Sequence, residues 1–152
     1  MVVQFGEQAD IASWINLVKE VKREFPGLET EDAIESHKNT VIEFISQKQA
    51  LCVKEHNKVV GVLLFSRKNN MICCMAVKPV YRRRGIASML MKKALSELDC
   101  DKDVIVSTFR EGDSRGAAAR AFYKRFGFVE GELIEEFGYP CQVFTLYGRT
   151  PV

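Results

Sequence analysis

The chain has 152 residues, of which 47% are hydrophobic and 28% are charged, and its formal net charge is +2. This composition is typical of a globular chain, and the length suits a single domain, which we assign to residues 1–152. The small charge does not predict a nucleic-acid partner, no apolar run approaches the roughly 18 residues that a membrane span needs, and the N-terminus lacks a signal-peptide pattern. We therefore expect neither a nucleic-acid nor a membrane partner, and a cytoplasmic location.

The cysteines and histidines do not predict a metal site or a redox site. The five cysteines lack C-x-x-C spacing, so we expect reduced thiols that serve as small apolar side chains; they are Cys52, Cys73, Cys74, Cys100 and Cys141. Cys73 and Cys74 suggest a nucleophile, but neighbouring strand residues point to opposite faces and no histidine is near them in sequence. We place His37 on a helix face and His56 in a turn, and expect neither to take part in chemistry.

The N-terminal third predicts one short strand followed by two helices. The strand is Val2–Phe5. Apolar residues near helical spacing predict a helix over Asp10–Phe25, which Pro26 and Gly27 end. A second apolar stripe predicts a helix over Glu31–Gln47.

The middle of the chain changes to β-branched and apolar runs separated by short turns. These runs predict three strands, Ala50–Glu55, Lys58–Arg67 and Met71–Val77. The turns are predicted at His56-Asn57 and at Asn69-Asn70. Because the connections are this short, we expect an antiparallel meander.

The C-terminal half predicts helices and strands in alternation and then a hairpin. We expect a helix over Gly85–Leu98, a buried strand over Val104–Ser107 and a helix over Arg115–Phe126. The hairpin strands are predicted over Phe128–Phe137 and Cys141–Tyr147. The complete order is β-α-α-β-β-β-α-β-α-β-β, which predicts an α/β fold with helices around a mixed sheet.

The segment Arg82–Ser88 joins an apolar strand to an amphipathic helix and has the features of an anion site. The first turn of a helix presents free N–H groups and the positive end of the helix dipole. Gly85 would let a phosphate approach the backbone closely, the arginines would neutralise it, and Ser88 would add a hydroxyl donor. The G-x-G-x-x-G and G-x-x-x-x-G-K-[ST] motifs are both absent, and the alternative is a solvated basic loop.

Two motifs in this order resemble the GNAT superfamily of N-acetyltransferases. The family signature R/Q-x-x-G-x-G/A is matched by Arg82-Arg83-Arg84-Gly85-Ile86-Ala87. A helix that carries a tyrosine and ends in Gly-Phe is matched by residues 121–128, with Tyr123 as the tyrosine. The resemblance covers about residues 50–147 well and the N-terminal helices loosely. It implies a GNAT-like fold, in which a mixed, mostly antiparallel central sheet is flanked by about four helices.

The resemblance also implies a site for acetyl-CoA as co-substrate. The backbone of Met75, Ala76 and Val77 would contact the pantetheine arm, and an amide of Met75 or Ala76 would polarise the thioester carbonyl. The pyrophosphate would be held by Arg82, Arg83, Arg84, Gly85, Ile86, Ala87 and Ser88. Tyr123 would donate a proton to the thiolate leaving group after direct attack by the amine.

In two respects the sequence departs from many family members. Gly116 stands where they carry an asparagine that helps to position the cofactor, and no carboxylate occurs on Met71–Val77 to act as general base. We assign no base; Glu111, Asp113, an acid of the segment 29–32 and a water relay stay open. Arg115 and Arg120 are either further contacts to a CoA phosphate or solvated helix charges.

The acidic residues suggest the acceptor. Two clusters flank the family's acceptor groove: Glu29, Glu31, Asp32 and Glu35, then Glu130, Glu132, Glu135 and Glu136. We therefore predict that the chain acetylates a primary amine of a cationic small molecule. The alternatives are acetylation of a protein N-terminus or lysine, and a non-catalytic acyl-CoA-binding sensor. Family members often dimerise, so the resemblance is compatible with a homodimer.

Overall fold

The computed structural model describes residues 1–148 and contains a seven-stranded sheet in the order β1-β2-β3-β4-β5-β7-β6. The strands are β1 Val3–Phe5, β2 Ala50–Glu55, β3 Lys58–Ser66, β4 Met71–Val77, β5 Val104–Phe109, β6 Val129–Glu136 and β7 Tyr139–Leu146. All neighbouring strands are antiparallel except β4 and β5, which are parallel. The predicted element order and the mixed, mostly antiparallel sheet are confirmed.

Four helices cover both faces of this sheet. They are α1 Ile11–Glu20, α2 Glu31–Ser46, α3 Ile86–Glu97 and α4 Ala117–Arg125. Side chains of α1 and α2, with Trp14 fully buried, form the core on one face, whereas α3 and α4 form the core on the other. The buried residues of β3 divide between the two cores, because successive side chains of a strand alternate between faces.

The first helix ends five residues earlier than the sequence predicted. α1 ends at Glu20, the segment Lys22–Glu24 forms one 3-10 turn, and Phe25 is extended with φ −116° and ψ 132°. The predicted helix over Asp10–Phe25 was therefore too long. Three consecutive charged residues cannot continue an apolar stripe against the sheet, so the chain leaves the helix there. Because the chain has left the helix, Phe25 lies beside the open edge of β4.

The central parallel pair is joined only at its beginning. β4 pairs with β5 at Met71↔Ile105, whereas its other edge stays paired with β3 as far as Val77. The edge of β4 that faces β5 is consequently open beyond Met71. β5 itself runs to Phe109, two residues beyond the predicted Val104–Ser107, because it continues to pair with β7 as far as Phe109↔Cys141.

Candidate functional site

Two connected hollows occupy the split between β4 and β5. The outer groove, about 640 Å³, runs along the end of β4 and the N-terminus of α3, and the face of α4 forms its other wall. The inner cavity, about 370 Å³, lies between α2, β4, β5 and the hairpin of β6 and β7. Glu24, Phe25, Met75 and Ala119 line both hollows. Two ligands bound in the groove and the cavity would therefore meet near Met75.

The N-terminus of α3 forms the floor at one end of the outer groove. Gly85 precedes the helix with φ +80°, the left-handed region that favours glycine, and a Cβ atom built there would have no neighbour within 4 Å. The first-turn amides of α3 have no partner within their own helix, so they and the helix dipole favour an anion in this open space. The predicted cofactor residues that line the groove are Met75, Ala76, Val77, Arg82, Arg83, Gly85, Ile86, Ala87 and Ser88.

The three arginines of the turn have different surroundings. Arg82 donates from Nε to the Val77 carbonyl at 3.0 Å, and its guanidinium pairs with Glu24 at 2.7 Å. Arg84 lies over the Tyr81 ring, 4.9 Å from its centroid, and does not line the groove, in contrast to the sequence-based expectation. Arg83, with φ +65°, lines the groove. The Val77 carbonyl therefore already accepts one hydrogen bond, which anchors Arg82 beside the groove.

Tyr123 projects from α4 into the inner cavity. Its ring packs against Phe128 and Phe144, with centroids 5.7 and 5.9 Å apart, and its side chain is almost wholly buried. Burial raises the pKa of Tyr123 well above its usual value, and the neighbouring Cys74 thiol adds to the shift. The phenol therefore carries its proton at neutral pH, and because a raised pKa makes it a weaker acid, it can protonate only a group whose basicity the same burial also raises.

The cysteines of β4 are neutral thiols that both line the inner cavity. The predicted arrangement on opposite faces is wrong, because β4 carries a bulge: Leu64 pairs with Cys74 and Phe65 with Ile72, which leaves Cys73 as the extra residue. Burial raises the pKa of Cys73 to about 11 and that of Cys74 to about 12. Thiols with such pKa values stay protonated, so neither is an activated nucleophile.

His37 also lines the inner cavity, from α2, a position that no local feature of the sequence indicates. Burial lowers the pKa of His37, so its imidazole is neutral at pH 7. Its Nε2 atom is buried and has no hydrogen-bond partner within residues 1–148. Buried polar atoms are normally paired, which makes this nitrogen a candidate contact for a bound ligand.

A polar network joins two of the segments that line the inner cavity, the α1–α2 loop and the β6–β7 hairpin. Arg115 donates to Glu29 at 3.1 Å, to Tyr139 at 2.9 Å and to both carboxylate oxygens of Asp113. Tyr139 also donates to Glu29 at 2.9 Å. The loop between α1 and α2 is thereby joined to the β6–β7 hairpin. We call this network, which consists of Glu29, Asp113, Arg115 and Tyr139, the clasp.

Arg115 and Arg120 both form hydrogen bonds within the protein, so neither is the solvated helix charge that was one of the two interpretations of the sequence. Arg115 belongs to the clasp and also lines the outer groove. Arg120 is buried, donates to the Phe109 carbonyl at 2.9 Å and pairs with Glu130 at 3.0 Å. It lies in the protein interior rather than on the outer groove, so it does not reach toward a ligand there.

Gly116 occupies a position where the fold leaves no room for a side chain. A Cβ atom added there would lie 2.7 Å from Cβ of Phe109, closer than real Cβ contacts. The asparagine that many GNAT members carry at this position would therefore collide with β5. Glycine here is a packing requirement of this chain.

We expect Gly116→Asn to lower the free energy of unfolding by about 1–3 kcal/mol, the usual range for overpacking. Urea unfolding of the variant beside Ala117→Asn, an exposed position one residue further on, would measure the difference. Equal midpoints for the two variants would mean that Phe109 moves aside without cost.

The two acidic clusters do not surround the inner cavity. Of their eight members only Glu136 lines it. Glu29 is engaged in the clasp, and Glu130 pairs with Arg120 and Lys124. Among the base candidates, hydrogen bonds from Arg115 lower the pKa of Asp113, which makes it a poor proton acceptor. The remaining charges of both clusters lie outside the cavity.

Within residues 1–148, no group of histidine, cysteine or acidic side chains has the arrangement of a metal site. In the same part of the chain, no helix is both long and apolar enough to cross a membrane.

Comparison with known proteins agrees with this architecture. Residues 46–130 match the family model of the acetyltransferase (GNAT) domain. A GNAT-family acetyltransferase from Bacillus cereus has a TM-score of 0.71 at 21% identity, over 97% of this chain and 96% of that one. The ribosomal-protein-alanine N-acetyltransferase of Brucella melitensis has a TM-score of 0.74 at 14% identity, over 97% and 99%.

A third similar structure was solved with a ligand. The PaiA N-acetyltransferase of Thermoplasma acidophilum, in complex with coenzyme A, has a TM-score of 0.70 at 16% identity, over 95% of this chain and 97% of that one. At such identities these structures establish the fold alone. A search of curated protein sequences finds no match.

Proposed function

The chain belongs to the GNAT family of acetyltransferases, and we propose that it transfers the acetyl group of acetyl-CoA to a primary amine of a small molecule. The observation that carries the proposal is the split between β4 and β5. It joins a groove with an anion-binding helix N-terminus to a cavity that contains a buried, protonated tyrosine. A nucleotide thioester and an amine would enter from these two sides.

The outer groove fits a pyrophosphate-containing co-substrate. The open space over Gly85 and the first-turn amides of α3 suit the phosphates, and Arg83 adds a positive charge. Ala118, Ala119 and Ala121 give the opposite wall of the groove a surface of short side chains, which leaves room for an extended arm. The open edge of β4 at Met75 and Ala76 offers backbone groups to that arm.

Acetyl-CoA would supply an acetyl thioester at the junction of groove and cavity. A neutral amine attacks the carbonyl carbon directly, since Cys73 and Cys74 are protonated and cannot form an acyl-enzyme. Tyr123 holds a proton beside this junction and gives it to the departing sulfur. The amide of Met75 or Ala76, on the open edge of β4, would stabilise the negative charge that develops on the carbonyl oxygen.

A small-molecule acceptor is favoured over a protein segment by the clasp. An extended polypeptide needs an open groove, whereas the α1–α2 loop and the β6–β7 hairpin touch: a Cβ atom on Gly27 would lie 2.8 Å from Cβ of Phe137. The second candidate, acetylation of a protein N-terminus, retains support from the likeness to a ribosomal-protein-alanine N-acetyltransferase. A non-catalytic sensor is disfavoured by the position of Tyr123 in the cavity.

The test is amine-dependent release of the CoA thiol, beside calorimetric binding of acetyl-CoA. We expect binding without any amine and turnover only when a primary amine is added. Binding without turnover, across small amines and peptides alike, would leave the sensor as the better description. No binding by folded protein would remove the proposed function.

A further inference from the structure

We propose that the acceptor is a primary amine that carries a single positive charge on an apolar body, with its ammonium group held by Glu136. This inference rests on the proposed function and narrows its acceptor class. It narrows the cationic small molecule that the two acidic clusters suggested from sequence. Three features of the inner cavity carry it: its charge, its lining and its closure.

The charge of the inner cavity is small and local. Within residues 1–148 only two carboxylates line it, and Glu24 is paired with Arg82 at 2.7 Å. Glu136 forms no ion pair or hydrogen bond through its side chain within the described residues. Its charge is felt inside the cavity, since it helps to raise the pKa of both Cys73 and Cys141. One unpaired carboxylate suits one ammonium group.

The rest of the cavity lining is apolar or neutral. Apolar side chains come from four elements and include Phe25, Leu28, Leu64, Met71, Ile72, Met75 and Phe137. Hydroxyls and thiols supply neutral polar contacts: Ser36, Thr40, Ser107, Thr108, Cys73, Cys74 and Cys141. A second ammonium group would lose its water here without gaining a counter-charge, which costs several kcal/mol. A polyamine or aminoglycoside is therefore a poor occupant, whereas an aryl or alkyl body gains from burial.

The volume and closure of the inner cavity set an upper limit on the size of the acceptor. About 370 Å³ is at the small end of the range of about 300–1,000 Å³ for ligand pockets. The clasp joins two segments whose residues line the cavity, the α1–α2 loop at Leu28 and the β6–β7 hairpin at Phe137. An amine with a compact body fits this enclosure. The reaction is balanced without an oxidant or reductant: the ammonium first loses one proton to solvent, the neutral nitrogen forms the N–C bond, the C–S bond breaks, Tyr123 protonates the sulfur, and the proton that the nitrogen loses after attack restores the phenol.

The neutral state of His37 gives this inference a pH dependence. The other titratable groups that line the cavity are Glu24, Cys73, Cys74, Tyr123, Glu136 and Cys141. Because burial lowers the pKa of His37 below its usual 6.5, the imidazole adds no charge at pH 7 and becomes cationic only in more acidic solution. It would then repel a cationic acceptor.

We therefore expect the acceptor KM of the wild type to rise toward the acidic end of the range, relative to that of His37→Gln, which cannot gain this charge. His56→Gln, at an exposed turn, should keep the wild-type profile. Steady-state kinetics between pH 5 and 8 at saturating acetyl-CoA would measure it. Parallel profiles for wild type and His37→Gln would exclude a cationic acceptor beside this imidazole.

The direct test is a panel of amines assayed against the wild type, Glu136→Gln and Glu135→Gln. Phenethylamine and hexylamine represent single charges on apolar bodies, spermidine and kanamycin represent multiple charges, and an alanyl peptide represents a protein N-terminus. Glu135 is the matched control, since it is the exposed neighbour of Glu136 and does not line the cavity. We expect the monoamines to have the highest kcat/KM, and Glu136→Gln to raise their KM tenfold or more without changing acetyl-CoA binding.

A variant designed to accept a second positive charge provides a further test of the acceptor class. Thr40→Glu adds a second unpaired carboxylate to the cavity wall, and we expect it to raise the kcat/KM of a diamine relative to hexylamine. Higher kcat/KM for spermidine or the peptide in the wild type would overturn this inference while leaving the acetyltransferase intact. An unchanged monoamine KM in Glu136→Gln would likewise overturn the role of Glu136. Failure of every amine, with acetyl-CoA bound, would instead contradict the proposed function and this inference with it.

Discussion

Tyr123→Phe is expected to lower kcat by about 10²-fold or more, the usual contribution of a positioned general acid, while the affinity for acetyl-CoA stays within about twofold. The variant keeps the ring that packs against Phe128 and Phe144 and loses only the hydroxyl. In the wild type, burial raises the pKa of Tyr123, so the proton is present throughout the neutral range and is lost only in strongly alkaline solution. The leaving thiolate would have to take its proton from water in the variant.

Two controls separate this role from a packing effect. Tyr147→Phe changes an exposed tyrosine outside both hollows and should leave kcat unchanged. A thioester with a more acidic thiol needs less help from an acid, so the loss in Tyr123→Phe should shrink with such a substrate. A loss of equal size with both thioesters would mean that the hydroxyl positions the acceptor rather than protonating the sulfur.

The sequence predicted most of the fold because each element has a strong local signal. The β-branched runs of β2, β3 and β4 and the turns between them determine the meander, with left-handed backbone at His56, Asn57 and Asn70. The turn at Gly85 could be identified for the same reason, since a left-handed glycine before an amphipathic helix is a local feature. Signals of this kind do not depend on distant contacts.

The inner cavity could not be predicted, because its walls come from segments that are far apart in sequence. His37 and Glu136 reach it from α2 and β6, and neither is distinguished locally from its charged neighbours. The bulge at Cys73 reorients a side chain in a way that strand alternation does not predict. The acidic clusters did not identify the carboxylate of the cavity, because clustering in sequence does not determine which carboxylate faces inward and which is already paired, as Glu29 is with Arg115.

The second large effect is expected from a substitution at the floor of the outer groove. Gly85→Glu should weaken acetyl-CoA binding by about 10²-fold or more, equivalent to about 2.7 kcal/mol, measured by calorimetric titration. The new side chain would enter the open space beside the first turn of α3, where a phosphate would lie, and its charge would repel that phosphate. The substitution also imposes a strained backbone at φ +80°, about 1–2 kcal/mol, which could weaken binding without any electrostatic contact.

Gly138→Glu is the control that distinguishes the effect of a charge at the phosphate site from the effect of backbone strain. Gly138 has φ +72° and likewise no neighbour within 4 Å of an added Cβ atom, but it lies in the β6–β7 turn, away from the outer groove. It should therefore lose similar stability and keep wild-type affinity for acetyl-CoA. Wild-type affinity in both variants would exclude the turn at Gly85 as the phosphate site. Loss in Gly85→Glu alone would support this site, because only there do the dipole, the free amides and Arg83 converge on one open space.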